Sequence, residues 1–238
     1  MIASSQDGPV TVIAIDRHER RNALDLEHCH ALREAVLTAA GSARAIVLTG
    51  AGSSFCAGAD LDGVYGDEFR DALHGMLQAI VAVPVPVLAS INGPAIGAGT
   101  QLALASDLRV AAAGARFAVP TARNGLAVDP WTIRRLALLA GGGTARAMLL
   151  GAETFGPELA HQRGLVDRLG DHADALAWAR QVAAFAPLSL AYSKRALTEQ
   201  PIEDPVLATA FEACWTSDDR AEGERARAER RPPRFTGR

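Results

Sequence analysis

Two segments, Ser54-Phe55-Cys56-Ala57-Gly58-Ala59-Asp60-Leu61 and Ile91-Asn92-Gly93-Pro94-Ala95-Ile96-Gly97-Ala98-Gly99, decide how this chain is read. Each follows a β-rich run, leads toward a helical one, and consists almost wholly of small residues. Small side chains let a ligand approach the main chain, and the first amides of a helix point unbonded N–H groups outward. Two such amides converging on one point would make an oxyanion hole, where each donor is worth roughly 3–4 kcal/mol of transition-state stabilisation. Close packing of strand on helix would use the same residues, and the pattern alone does not separate the two.

Other uses of glycine fit less well. Gly50-Ala51-Gly52-Ser53-Ser54-Phe55 half-matches a dinucleotide fingerprint, but Phe55 stands at the third glycine. Gly97-Ala98-Gly99-Thr100-Gln101-Leu102 fails at the same place, and no phosphate-loop lysine follows either run. No Gly-x-Ser-x-Gly nucleophile elbow exists.

Around these segments the pattern predicts strands over 10–15, 45–48, 86–91 and 107–111, and helices over 26–40 and 97–105. Asn92-Gly93-Pro94 reads as a turn. From Asp129 onward the reading is helical: 129–140, 144–150, 174–185, 188–198 and 205–229. The first half is therefore α/β and the second half α. Pro232-Pro233 ends the last helix, since proline disfavours helix at the residue before it. The arginines of Arg230-Arg231-Pro232-Pro233-Arg234-Phe235 fit either a solvated end or contacts to phosphates or a neighbouring subunit.

The 238 residues suffice for a sizeable core, and a formal net charge of −3 lacks the basic footprint of a nucleic-acid binder. Alanine supplies 48 residues, and the basic residues are 23 Arg and a single Lys, Lys194. That skew is first of all codon usage in a GC-rich genome. Cys29, Cys56 and Cys214 support neither a disulfide framework nor a zinc cluster. His28-Cys29-His30 is an unconvincing metal site, because neighbours one and two apart face different sides of a helix. No apolar run is long enough to span a bilayer, and the start of the chain lacks a signal-peptide profile. A cytoplasmic location is expected.

The two opening segments resemble the signatures of the enoyl-CoA hydratase/isomerase (crotonase) superfamily. Arg20-Arg21-Asn22-Ala23-Leu24 resembles the segment that borders coenzyme A in that family. Ser106-Asp107-Leu108-Arg109-Val110-Ala111 resembles the strand after the second signature, and residues 217–235 resemble the terminal helix with its basic-proline end. The resemblance implies an α/β fold, a crotonase-like spiral of ββα units over 1–185, and a helical C-terminal trimerisation region over 186–238. It further implies trimers or hexamers, a coenzyme A thioester as ligand, and no separate cofactor or metal. By the same resemblance the backbone N–H groups of Ala59 and Ala98 form the oxyanion hole. Arg21, Ala23, Ala57 and Arg234 are the candidate coenzyme A contacts, and Asp60 a structural helix cap.

The chain departs from that family where its hydratases carry two glutamates. Gln101 stands at one position and Thr121 at the other, in Phe117-Ala118-Val119-Pro120-Thr121. Neither side chain titrates usefully. General acid–base catalysis is worth ~10²–10⁴-fold, so conventional hydration is poorly supported. Asp129 remains nearby; Asp followed by Pro is a helix-start signal, while the spacing also resembles family branches with a catalytic aspartate there. The run 124–136, with Trp131, and the run 42–50 resemble mycobacterial hydratase-like proteins that lack both glutamates. That resemblance implies long-chain acyl-CoA binding without hydration, in supply to fatty-acid synthesis enzymes. Gln101, Thr121 and Trp131 are then expected to line the acyl pocket, with Trp131 covering the chain or simply packing in the core. An isomerase or hydrolase using Asp129, or an ordinary hydratase, is the alternative.

Overall fold

The computed structural model describes residues 1–60, 67–124, 126–198 and 205–238, so Leu61 and Gly125 of the segments quoted above lie outside the described residues. The chain begins with strands β1 (Ile2–Asp7) and β2 (Val10–Ile15), helix α1 (Leu26–Ala40), strand β3 (Ala45–Gly50) and helix α2 (Asp67–Ala82). Strands β4 (Val87–Ile91) and β5 (Pro94–Ile96) precede helix α3 (Ala98–Ala105), and β6 (Leu108–Ala111) and β7 (Arg116–Ala118) precede α4 (Pro130–Leu149). Then come α5 (Pro157–Gln162), β8 (Arg168–Leu169), α6 (His172–Ala183), α7 (Pro187–Thr198), α8 (Pro205–Thr216) and α9 (Asp218–Ala228).

The main sheet has the order β1-β2-β3-β4-β6-β8, antiparallel only between β1 and β2. A second layer holds the parallel pair β5-β7, extended by single bridges Leu24–Ala59, Cys56–Ala95 and Phe117–Phe155. Four successive units therefore each place one strand in the main sheet, one short stretch in the second layer, and then a helix. That is a spiral of ββα units. In the unit of β4, β5 and α3 the second stretch runs through Gly97 directly into the helix.

Both faces of the main sheet are covered, which is why its central strands β3 and β4 are mostly apolar on both faces rather than alternating. Ile46 and Leu48 of β3 pack with Val87 and Ala89 toward α1 and α2, while Val47 and Leu88 face Ala179 and Ala183 of α6. Helix α3 is buried on every side, Gln101 included, and is otherwise built from Ala, Gly, Thr and Leu. Side chains fix the helix starts. Asp25 accepts from the His28 amide at α1, Asp129 from the Thr132 amide at α4, and Asp171 forms a capping box with Asp174 at α6.

Lys194 of α7 donates to the carbonyls of Ile80 and Val85 at 2.9 and 3.1 Å and pairs with Asp107 at 2.8 Å. Burial pushes the lysine downward and the aspartate upward, and the attraction between them opposes both shifts. The one lysine of an arginine-rich chain thus ties α7 to the end of α2 and the start of β6.

Several elements depart from the sequence expectation. The first of the two quoted segments leads toward a helix that the sequence reading gives no bounds, and α2 follows it, with Phe69, Ala72, Met76 and Ile80 on one buried stripe. Strands β1, β5, β7 and β8 and helix α5 are unexpected, most being too short to show a period. The helix expected over 205–229 breaks at Ser217, whose hydroxyl donates to the Cys214 carbonyl and accepts from the Arg220 amide. The helices expected over 129–140 and 144–150 join as α4 across a kink at Gly141, with φ +82°. Among the described residues no helix is long and apolar enough to cross a membrane.

Candidate functional site

The residues that follow β3 are pinned from two sides by asparagines. Asn22, fully buried, donates to the carbonyls of Ala51 and Ser54 at 2.9 and 2.7 Å and accepts from the Arg17 amide at 3.0 Å. Asn92 donates to Gly50 and Gly52 at 2.9 Å each. Main-chain bonds then lay 56–60 between its neighbours: Cys56 donates to Pro94, Ile96 to Cys56, Leu24 to Gly58, and Asp60 to Leu24.

This lamination explains the small residues. A Cβ on Gly99 would stand 2.1 Å from the Cys56 carbonyl oxygen, and one on Gly93 the same distance from that of Ser53. A Cβ on Gly58 would reach Ile96 O at 3.0 Å and Ala98 N at 4.0 Å, so the two signature segments meet there. Gly58 has φ +114° and Gly97 φ +53°, conformations that turn the following amides of Ala59 and Ala98. Among the described residues neither of those amides donates to a backbone carbonyl. Ala98 is the first residue of α3, where N–H groups lack a helical partner.

Both alanines line a cavity of about 300 Å³. One wall is Ala57–Ala59 and 96–98, a second is α2 through Phe69, Leu73, His74 and Leu77, and a third brings Gln101, Thr121, Leu126 and Asp129. The expected site residues Ala57, Ala59, Ala98, Gln101, Thr121 and Asp129 are therefore brought together.

At the far wall, Gln101 Nε2 donates to Thr132 Oγ1 at 2.8 Å and to Asp129 Oδ2 at 3.1 Å. The Thr132 hydroxyl donates to the same Oδ2 at 2.6 Å, and the Thr132 amide to Asp129 Oδ1 at 3.0 Å. A carboxylate offers about four acceptor positions, and three are taken. Asp129 is a helix cap and the anchor of Gln101, and it also faces the cavity.

An ion-pair bridge stands behind the cradle. Arg17 reaches Asp25 at 3.2 Å and Asp60 at 2.9 Å, and donates to the Ala23 carbonyl at 3.0 Å. Burial works against the Asp25 carboxylate, but the His28 amide and imidazole, with Arg17, outweigh it and hold its pKa below the ordinary value. Asp60, expected to cap a helix, is thus an ion-pair partner of Arg17, and residues 61–66 after it lie outside the described residues.

Three expectations need correction or relocation. Trp131 does not line this cavity; as in the alternative reading it packs against the core, and it faces a second cavity, of about 580 Å³, with Val81, Pro84, Leu188 and Tyr192. Two residues beyond Asp129, inside the first turn of α4, the helix rotation sends its ring to the other side. Arg234 also lies elsewhere, in the tail folded onto α9, where its amide donates to Glu222 at 2.9 Å. Arg21 and Ala23 border the site through the main chain, Arg21 O accepting from Ala57 N at 3.0 Å, without lining the cavity. Thr132, His74 and Asn124 are the site residues that the sequence reading misses. Asp129-x-x-Thr132, a capping pair at helical spacing, was the available signal for the first; for His74 the signal was the apolar stripe Phe69, Ala72, Met76 and Ile80, which marks α2 as an amphipathic helix.

A model of the enoyl-CoA hydratase/isomerase family matches residues 5–238. The chain belongs to that family. A Mycobacterium tuberculosis relative named "Probable enoyl-CoA hydratase echA6" is 48% identical over 242 residues, covering 100% of both chains. A Rhodobacter capsulatus relative named "Probable enoyl-CoA hydratase" is 38% identical, covering 96% of this chain and 95% of that one. Among solved structures, an enoyl-CoA hydratase/carnithine racemase from Magnetospirillum magneticum superposes with a TM-score of 0.92 at 27% identity, covering 100% of this chain and 96% of that one. The crotonase-like spiral expected from the signatures is therefore the fold of this enoyl-CoA hydratase/isomerase family member.

Proposed function

We propose that the protein binds fatty acyl-CoA thioesters, holds the carbonyl oxygen between the amides of Ala59 and Ala98, and hydrates the acyl chain weakly or not at all. The observation that carries this reading is the far wall of the cavity. Gln101 and Thr121 face it where a hydratase of this family has glutamates, and Asp129 is committed to Thr132 and Gln101. Hydration needs one group to take a proton from water and one to deliver a proton to carbon, and losing such catalysis removes ~10²–10⁴ in rate. The cradle itself needs only backbone, which the packing supports. The relatives' names share a coenzyme A thioester, which supports the ligand class.

In this reading Ala57 and the main chain of Arg21 and Ala23 form the coenzyme A entrance. Arg234 meets a ligand only across a subunit boundary, in a cytoplasmic trimer or hexamer assembled through its C-terminal helices. No further cofactor takes part, and the bound chain is passed to fatty-acid synthesis enzymes. The test pairs a crotonyl-CoA hydration assay with calorimetry on dodecanoyl-CoA. Tight dodecanoyl-CoA binding with slow loss of the conjugated thioester absorbance is expected. Fast hydration would make the protein an ordinary hydratase, and failure to bind any acyl-CoA would remove the cradle assignment.

Because Asp129 faces the cavity, a second reading keeps it as the single carboxylate of an isomerase or hydrolase. That reading requires turnover which Asp129→Ala abolishes while binding survives.

A further inference from the structure

Among the described residues the ionisable side chains facing the cavity are Arg70, His74 and Asp129. Asp129 holds Thr132 and Gln101, and Arg70 pairs with Asp67 on its own helix. His74 is different: among the described residues it makes no hydrogen bond or ion pair, and it stands exposed on α2, one turn beyond Arg70. Its wall is apolar, with Phe69, Leu73 and Leu77, and it belongs to a different element from either the cradle or Gln101. An imidazole with no partner among the described residues, on the cavity that Ala59 and Ala98 also line, is a proton carrier beside the amides assigned above to the thioester carbonyl. Imidazole can both accept and donate a proton near neutral pH, and it keeps exchanging with solvent where it is exposed.

Resting on the thioester reading above, we propose that His74 is an acid–base residue acting at the acyl carbon next to the carbonyl. The neutral imidazole takes a proton from that carbon, and the C–H bond breaks. Its electron pair forms a carbon–carbon double bond while the carbonyl π pair moves onto oxygen, where the Ala59 and Ala98 amides donate to the enolate. Return of a proton from the imidazolium regenerates the thioester. No atom is gained or lost and no oxidant is needed. Water is not added, because Gln101 and Thr121 stand where carboxylates would activate it and Asp129 is held by Thr132 and Gln101. The cavity would therefore be silent in hydration yet active in proton exchange on a saturated acyl-CoA.

The experiment incubates full-length protein with dodecanoyl-CoA in deuterium oxide and follows label at the α-carbon by mass spectrometry, with calorimetry on the same samples. Wild type is expected to incorporate deuterium. His74→Gln, an exposed helix-surface change, is expected to bind equally and exchange about 100-fold more slowly, the lower range for loss of an acid–base group. His30→Gln, on the outer side of α1, is expected to change neither. Binding without incorporation in wild type overturns the assignment and leaves the cradle standing, as does incorporation that His74→Gln does not slow. Loss on Asp129→Asn instead of His74→Gln moves the base to Asp129 and also overturns it. No binding at all removes the thioester reading and this inference with it.

Discussion

The two ends of the cavity are built on opposite principles. The cradle around Ala59 and Ala98 is main chain held by main chain, with glycines where any Cβ would strike a carbonyl. The far wall, Gln101, Asp129, Thr132 and Thr121, is made of side chains, three of which satisfy one another. A backbone site depends on packing and changes chemistry little when neighbouring side chains vary. A side-chain site can lose its chemistry by single substitutions and keep its shape. In the function proposed above, the first is kept and the second is changed.

The comparison breaks most sharply at Gly99. Gly99→Ala puts a methyl 2.1 Å from Cys56 O, backbone against backbone, so the layers must separate. A stability loss of about 3 kcal/mol or more is expected, read by urea unfolding, with acyl-CoA binding lost as well. Next comes Gln101→Glu, which sets a second carboxylate against Asp129 where an amide now donates at 3.1 Å. Like charges raise the folded-state pKa above the unfolded value, so the variant matches wild type at low pH and loses stability as pH rises through that raised value. A deficit of about 2 kcal/mol near pH 7, absent near pH 4, should appear in thermal melts.

Asp129→Ala removes a cap and both hydroxyl and amide partners at the far wall. About 1 kcal/mol of stability is expected to go, with dodecanoyl-CoA binding preserved, by calorimetry. The smallest effect is a contrast in reactivity. Burial pushes the thiols of Cys29 and Cys56 up to about 12, whereas Cys214 is half-buried. Disulfide exchange reagent at pH 8 should therefore label Cys214 in the folded protein and the other two only on unfolding. Rapid labelling of Cys56 would show that the cradle opens.

Legibility follows the same division. Strand β2 and helix α1 are readable because burial imposes a period on them, and the cradle because small residues cluster at two strand ends. Short β5 and β7 carry no period, and their partners lie in other units. Helix α2 carries a clear apolar stripe through Phe69, Ala72, Met76 and Ile80 that the sequence reading passed over, and that His74 lines the cavity emerges only when the helix is packed. Trp131 and Arg234 fail as pocket residues for a geometric reason, since their spacing is right and their direction is not.

By itself, the sequence determined the family, the order of its units, the two small-residue segments that meet at the cavity, and the absence of carboxylates at Gln101 and Thr121. These are matters of residue identity and local spacing. Only the tertiary structure decided that Asp129 is spoken for by Thr132 and Gln101, that Trp131 faces away, and that His74 enters the cavity from a separate helix. Each of those depends on which side of an element a side chain leaves, and elements far apart in the chain settle that when they pack.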